Sequence, residues 1–267
     1  SASVNFTMNY TDSKTDTDDG AFEDDPNSTY TSKLFTTRGE FKHSPFTWWT
    51  YKGGISYMSF ARENIDPADA IDTTENDIYT YDGSNSRIDL ISIFNIPDFN
   101  VLTIGADLLN EKGSSTSATS YGNSIFNEKS VFTKSFFLHD EISVLEMLFL
   151  NAGARADDNE VFGTNWTWDA SASFVIPVTG TRLKSSAGTG FRAPSLSELY
   201  GKWGGNNRLK PEKSYVYDAG IYQEFFKGLL SADCTYFVQK YKDKIIYSSS
   251  SEYENLDGLV RNSGVET

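Results

Sequence analysis

Two acidic stretches hold the densest potential chemistry in this 267-residue chain. The first, Asp12, Asp16, Asp18, Asp19, Glu23, Asp24 and Asp25, places seven carboxylates within fourteen residues. Such a run repels itself unless a hard cation gathers its oxygens, and calcium takes about six to eight of them. The acidic positions do not follow an EF-hand loop. Two readings therefore stand: a solvated acidic loop, or a calcium site built on Asp16, Asp18, Asp19 and Asp24. The second stretch, Asp66, Asp69, Asp72, Glu75 and Asp77, reads first as a solvated loop and second as a contributor to the same ion.

Other chemistries are poorly supplied. His43 and His139 are far apart in sequence, and no His/Cys/Asp cluster has metal-enzyme spacing. No Ser–His–Asp arrangement is indicated. Glu141 and Glu146 flank one short turn, a poor geometry for a two-carboxylate glycosidase. Cys234 is the sole cysteine, so no internal disulfide framework exists. Arg192 and Glu198 could pin a loop by charge-assisted hydrogen bonds. No enzyme emerges from these residues.

The elements that must position these groups are strands. Apolar and polar residues alternate with period two almost throughout, and helical periodicity is scarce. About twelve strands are expected, near 3–12, 29–42, 46–63, 77–94, 99–112, 126–142, 146–157, 163–176, 182–190, 213–226, 229–248 and 257–267. Their connections alternate short and long. Long polar loops are expected at 13–28, 64–76, 113–125, 191–212 and 249–255, with a shorter one at 158–162. In one strand Leu102, Ile104, Ala106 and Leu108 share a face, while Thr103, Gly105 and Asp107 share the other. Trp48, Trp49, Tyr51, Phe136 and Phe137 could form an interfacial aromatic girdle.

Composition agrees with two classes. Residues are 38% hydrophobic, 22% charged and 15% aromatic, with 19 Phe and 15 Tyr. A net charge of −14 argues against nucleic-acid binding. Ser1-Ala2-Ser3-Val4 reads as strand, not as a signal peptide, and no apolar run nears the roughly 18 residues of a membrane helix. A soluble sheet with one wet face fits, and so does a transmembrane β-barrel.

One passage separates them. Residues 185–212 read SSAGTGFRAPSLSELYGKWGGNNRLKPE. A strand ends where Pro194 has no N–H for a ladder, a glycine- and asparagine-rich loop follows, and a new strand starts near Ser214. Gly190, Phe191, Arg192, Pro194, Glu198, Leu199, Tyr200, Pro211 and Glu212 stand where TonB-dependent outer-membrane receptors carry a hallmark motif. The chain closely resembles that family. Phe136–Glu141 with Phe149–Arg155, Thr103–Asp107 and Asn262–Glu266 resemble further strands of it. Within the family the likeness is to the members that take up cobalamin, through Ala154–Asn159, Phe162-Gly163, Thr167-Trp168 and Leu199–Gly201.

The resemblance implies an all-β, antiparallel transmembrane β-barrel of the bacterial outer membrane. Residues 1–267 then form one partial barrel domain, an internal fragment of about 12 strands lacking the plug and final strands of a roughly 22-strand receptor. It implies active import of a bulky, scarce nutrient, cobalamin first and a ferric siderophore second. The partners would be outer-membrane lipid, and the TonB energy-coupling protein through the absent plug. Loop-tip aromatics would contact ligand: Tyr57, Tyr79, Tyr81, Tyr121 and Trp203. Calcium in the acidic loop would order the capture loops. The alternative from another class is a soluble, secreted β protein that binds carbohydrate or surfaces.

Overall fold

The computed structural model describes residues 1–267 except 19–24, 26, 70–72, 74–75, 121 and 202–203. Its strands are β1 (Ala2–Asp16), β2 (Thr29–Phe46), β3 (Trp49–Asp66), β4 (Asp77–Ile96), β5 (Asn100–Thr119), β6 (Gly122–Val144), β7 (Leu148–Asn159), β8 (Gly163–Ile176) and β9 (Thr181–Arg192). A short helix, α1 (Leu196–Tyr200), precedes β10 (Glu212–Phe225), β11 (Leu230–Lys242), β12 (Ile245–Tyr247), β13 (Tyr253–Asn255) and β14 (Leu259–Glu266). Twelve strands form one sheet in the order β1 to β11, then β14, and every neighbouring pair is antiparallel. β12 and β13 make a separate hairpin. Among the described residues β1 and β14 each have one strand partner, so the sheet is an unclosed arc of barrel wall.

The two faces are inverted relative to a soluble sheet. On one, Leu90, Ala106, Phe136, Ala156 and Trp166 stand directly opposite one another across five strands. Leu90 is 58% exposed and Trp166 72%. One residue along, Asp89, Asp107, Ser135 and Asp157 form the next cross-strand row on the other face, and none is more than 7% exposed. Most of this sheet has no second layer on either side, so curvature explains the contrast. Side chains crowd together on a concave polar face and splay apart on a convex apolar one. Apolar outside and polar inside is the pattern of a wall between lipid and a wet lumen. The soluble-sheet alternative requires the reverse.

The buried carboxylates are matched by arginines. Arg38 Nη1 donates to Asp89 Oδ1 at 2.8 Å, reaching over β3. It can do so because Gly54 lies beneath it; a Cβ there would sit 2.5 Å from Arg38 Nη2 and 2.9 Å from Asp89 Oδ2. Arg87 and Arg155 both reach Asp107, at 3.2 and 3.0 Å. Arg155 also holds Asp157, which accepts from Ser135 Oγ at 2.6 Å. One polar chain thus ties β2 and β4 through β7 from within. Nearby, Phe60, Phe137 and Phe237 lie flat on Gly83, Gly105 and Gly264 directly opposite them, so their rings cover backbone instead of filling the lumen.

One end of the sheet has tight turns. There Phe46, Trp48, Trp49 and Phe94 stack, with Trp49 and Phe94 at 6.2 Å and nearly parallel. Tyr51 joins them. Phe136 and Phe137 do not belong to this aromatic group: Phe136 faces outward in mid-strand and Phe137 faces the lumen on Gly105. The β6–β7 turn places Leu145 at φ 53° and Glu146 at φ 56°, left-handed positions that favour Asn-Gly. Leu145→Asn with Glu146→Gly should stabilise the protein by about 1 kcal/mol, read as a higher urea midpoint in detergent.

Three boundaries differ from expectation. Segment 113–125 is not a long loop; β5 and β6 run on as an extended hairpin to Thr119 and Gly122, with a register shift between Gly113 and Ser115. Its Ser- and Thr-rich composition reflects strands wet on both faces. β6 is 23 residues long, twice the roughly nine to eleven that cross a bilayer, so its upper end stands clear of lipid. The expected strand 229–248 breaks at Asp243, whose φ is 56°, and its end folds back as β12–β13. Finally, the long loop 191–212 contains α1.

Candidate functional site

The hallmark passage builds a folded cap over the long-loop end of the wall. Gly190, Phe191 and Arg192 finish β9, opposite Ser214, Lys213 and Glu212 of β10. Pro194 is buried and stops the ladder. Ser195 then caps α1: its Oγ accepts from the Glu198 amide at 3.2 Å, and its own amide donates to Glu198 Oε2 at 2.7 Å. That reciprocal pair explains why so short a helix forms. Leu199 of α1 is buried with Leu209 and Ile245, and Phe162, Tyr200 and Tyr253 close around them. Tyr200 stacks on Phe126 of β6 at 6.0 Å, while the Lys129 ammonium lies 5.5 Å from its ring.

Arg192 is the latch of this cap. Its Nη1 donates to Glu198 Oε2 at 3.0 Å, and its Nε donates to Glu212 Oε2 at 3.0 Å. Glu212 Oε1 accepts in turn from the Ile245 amide at 2.7 Å. One guanidinium therefore joins the end of β9, α1, the start of β10 and β12. Pro211 leads directly into Glu212. The β12–β13 hairpin is sewn to the loop: Asn206 Nδ2 donates to Tyr253 O at 2.8 Å, and the Tyr253 amide donates to Gly204 O at 2.7 Å. Asn255 exchanges two hydrogen bonds with the backbone of Lys210, at 2.8 and 2.9 Å.

Arg192 sets the charge state of its partners. Its hydrogen bonds hold the Glu212 carboxyl below the ordinary glutamate value of 4.5. Burial pushes Glu198 up, but bonds from Arg192 and the Ser195 amide outweigh it and hold that carboxyl low as well. Groups whose folded value is depressed stabilise the fold above the unfolded value and lose that contribution as pH falls through the folded one. The latch should therefore stay closed at pH 4.5 and open only below it. Carboxyl-carbon NMR titration of Glu198 and Glu212 checks this: both midpoints should lie under 4.5, and midpoints at or above it would show that Arg192 does not hold them.

Beneath the cap lies a cavity of about 410 Å³. Its floor is two adjacent cross-strand rows on the lumenal face. Tyr30, Asn64, Tyr79, Ser117 and Ser124 form one, and Arg62, Tyr81, Ser115 and Phe126 form the other. Ser197 and Gly201 of the cap and Tyr253 of β13 complete the lining. Tyr81 stacks on Phe60 at 5.6 Å, and Tyr79 Oη donates to Asp77 Oδ2 at 3.1 Å. The Arg62 guanidinium lies over the Phe60 ring at 5.1 Å. The Asn64 Oδ1 is buried and accepts no hydrogen bond from the described residues.

Of the five aromatic residues expected at loop tips, Tyr79 and Tyr81 come together in this cavity. Tyr57 does not sit near a loop end. It lies in the middle of β3 on the outward apolar face, because β3 continues nine residues beyond it to Asp66. Tyr121 and Trp203 lie outside the described residues. Asn64, Arg62 and Ser197 were not singled out from sequence; alternation alone marks the first two as inward-facing, and only the strand register brings them together. In the acidic stretch, Asp16 ends β1 and Asp18 is exposed, while Asp19 and Asp24 lie outside the described residues. Asp25 Oδ1 accepts from the amides of Asn27 and Ser28 at 3.2 and 3.3 Å, which turns the chain into β2. Among the described residues no three His, Cys, Asp or Glu side chains converge as metal ligands would. Asp72 and Glu75 of the second stretch are likewise outside the described residues.

Comparison with known proteins places this architecture. Solved structures similar to the chain include the copper transporter OprC (15% identity, 99% of this chain and 46% of that one, TM-score 0.79). The siderophore receptor PirA from Acinetobacter baumannii matches at 15% identity over 89% of this chain and 42% of that one, TM-score 0.67. The RagAB peptide importer in the 'open-open' state matches at 19% identity over 89% and 33%, TM-score 0.65. The chain thus spans between a third and a half of the length of these proteins, and at such identities the likeness speaks for the fold. The family described as TonB dependent receptor-like, beta-barrel, matches residues 1–267. With its lipid-facing apolar rows and polar lumenal face, the chain belongs to that family and is barrel wall of the bacterial outer membrane.

Proposed function

We propose that this chain forms the wall and part of the ligand-capture mouth of an outer-membrane importer that takes up a bulky, scarce nutrient. Cobalamin is the first candidate ligand and a ferric siderophore the second. The observation that carries this reading is the capped, tyrosine-lined cavity on the lumenal face, above the part of the wall that lipid surrounds. Transport would draw on the TonB energy-coupling protein acting through a plug in the lumen. The neighbouring structures are described as a siderophore receptor, a copper transporter and a peptide importer, so they support uptake and leave cobalamin as part of the proposal. Calcium held by Asp16, Asp18, Asp19 and Asp24 is a second part of it. Seven carboxylates within fourteen residues support that idea.

Cells producing the full-length protein test this reading by uptake of radiolabelled cyanocobalamin and of a ferric siderophore. Each is measured with and without a protonophore, and with and without EGTA. Protonophore-sensitive cobalamin uptake that falls on calcium removal is the expected result. Siderophore uptake indifferent to EGTA would discard both cobalamin and the calcium site. No energy-dependent uptake of either ligand would overturn the importer reading.

A further inference from the structure

The lining of the capped cavity narrows the chemistry of what can enter it. Its volume of about 410 Å³ falls within the roughly 300–1,000 Å³ of small-molecule sites. Four tyrosines, Tyr30, Tyr79, Tyr81 and Tyr253, line it, and serine hydroxyls on β5, β6 and α1 both donate and accept. Among the described lining residues Arg62 is the only cation, and its guanidinium already lies over Phe60. Glu63 lies beside it, and Asp77 is buried at the end of the next strand. The chain as a whole carries −14. A ligand bearing several negative charges would meet one engaged cation in a negative field.

Asn64 gives the cavity a direction. It stands second in the floor row, opposite Tyr30 on one side and Tyr79 on the other. Its Oδ1 is out of solvent and has no hydrogen-bond partner among the described residues, which is a costly state for an amide. A turn of the side-chain amide by a ligand bearing an N–H or O–H donor would relieve it. Ser197 faces the same space from α1, so the hallmark cap supplies a wall of the cavity.

We propose that the cavity between the hallmark helix and the lumenal rows of β2 to β6 binds an uncharged ligand rich in hydroxyl or amide donors, with Asn64 as its anchoring acceptor and Ser197 as its contact on the cap. This rests on the importer reading and specifies where and what the mouth grips. Two sources offer this chemistry, the carboxamide rim of a corrinoid and the hydroxyls of a glycan.

The test uses the full-length protein in detergent and follows quenching of its intrinsic fluorescence. The probes are cyanocobalamin, maltoheptaose and, as the anionic comparison, ferric enterobactin. One uncharged probe should bind saturably, and which one binds identifies the source. Asn64→Leu should weaken that binding about tenfold or more while heat-modifiable migration on gels is kept. Ser197→Val, on the cap and outside the sheet, should weaken it about threefold or more, and it stands in if Asn64→Leu does not fold. Saturable binding of ferric enterobactin alone would overturn the proposal. So would binding of an uncharged probe that neither substitution changes, and so would failure of all three probes. Energy-dependent uptake of a probe in cells, unaltered by Asn64→Leu, would overturn this site while leaving the importer standing; absence of all such uptake would overturn the importer reading itself.

Discussion

Asp107→Ala should lower the unfolding free energy of the wall by about 3 kcal/mol, the low end of what removing one member of a buried ion pair costs. Asp107 is 4% exposed and receives both Arg87 and Arg155. Its removal leaves two guanidiniums facing each other with Asp157 as the remaining carboxylate of Arg155. The low end applies because the two arginines are 45% and 33% exposed and water in the lumen can solvate them. The measurement is the temperature at which the folded, fast-migrating band on a gel converts to the unfolded one. Asp107→Asn should fall between wild type and Asp107→Ala, since the amide oxygen still accepts one hydrogen bond. A wild-type conversion temperature in Asp107→Ala would show that the lumenal chain contributes nothing to stability.

Arg192→Ala should release the cap. Glu198 and Glu212 keep only 16% and 17% of their side-chain surface exposed, and both would lose their counter-charge at once. Hydrogen bonds to charged groups contribute about 1.5–3 kcal/mol each, and two carboxylates are affected here. The wall beneath should survive, because β9 and β10 pair along twelve residues irrespective of the latch. The expected result is thus local: rapid trypsin cleavage after Arg208 in the variant, with unchanged heat-modifiable migration. Arg192→Lys should give partial protection, because one ammonium cannot span both carboxylates in the way the guanidinium fork does. Equal protease resistance in wild type and Arg192→Ala would show that the hydrophobic cluster of Leu199, Leu209 and Ile245 suffices to hold the cap.

The wall was legible in the sequence because lipid and lumen impose a period of two on every strand between them. Leu102 to Leu108 could be sorted into faces residue by residue, and the structure keeps that sorting. Above the lipid that constraint ends. Ser114 to Ser117 lie on strands wet on both sides, so they carry no alternation and read as loop. Tyr57 was misplaced for a related reason, since underestimating the upper reach of β3 moves a mid-strand residue toward its tip. The helix α1 was within reach: Ser195 and Glu198 are spaced as a capping box, a signal that does not depend on tertiary structure. The cavity was not within reach. Asn64, Tyr79, Ser117 and Ser124 become neighbours only through register across four strands, and no local pattern encodes register between segments so far apart. The same holds for Asp107 and Arg155, which meet across an intervening strand.

The latch also bears on which strand register the protein accepts. Arg192 and Glu212 stand directly opposite each other on the β9–β10 rung nearest the loop that joins the two strands. The tight turns lie at the other end of both strands, where they join β8 to β9 and β10 to β11. Glu212 then receives the Ile245 amide, so β12 must already have turned back at Asp243. The closed latch therefore requires both the native β9–β10 register and the turn at Asp243. A chain stalled with a slipped β9–β10 register would present Arg192 to the wrong residue and leave α1 undocked and open to proteases. The hallmark residues in this way tie closure of the cap to correct pairing of the strands beneath it.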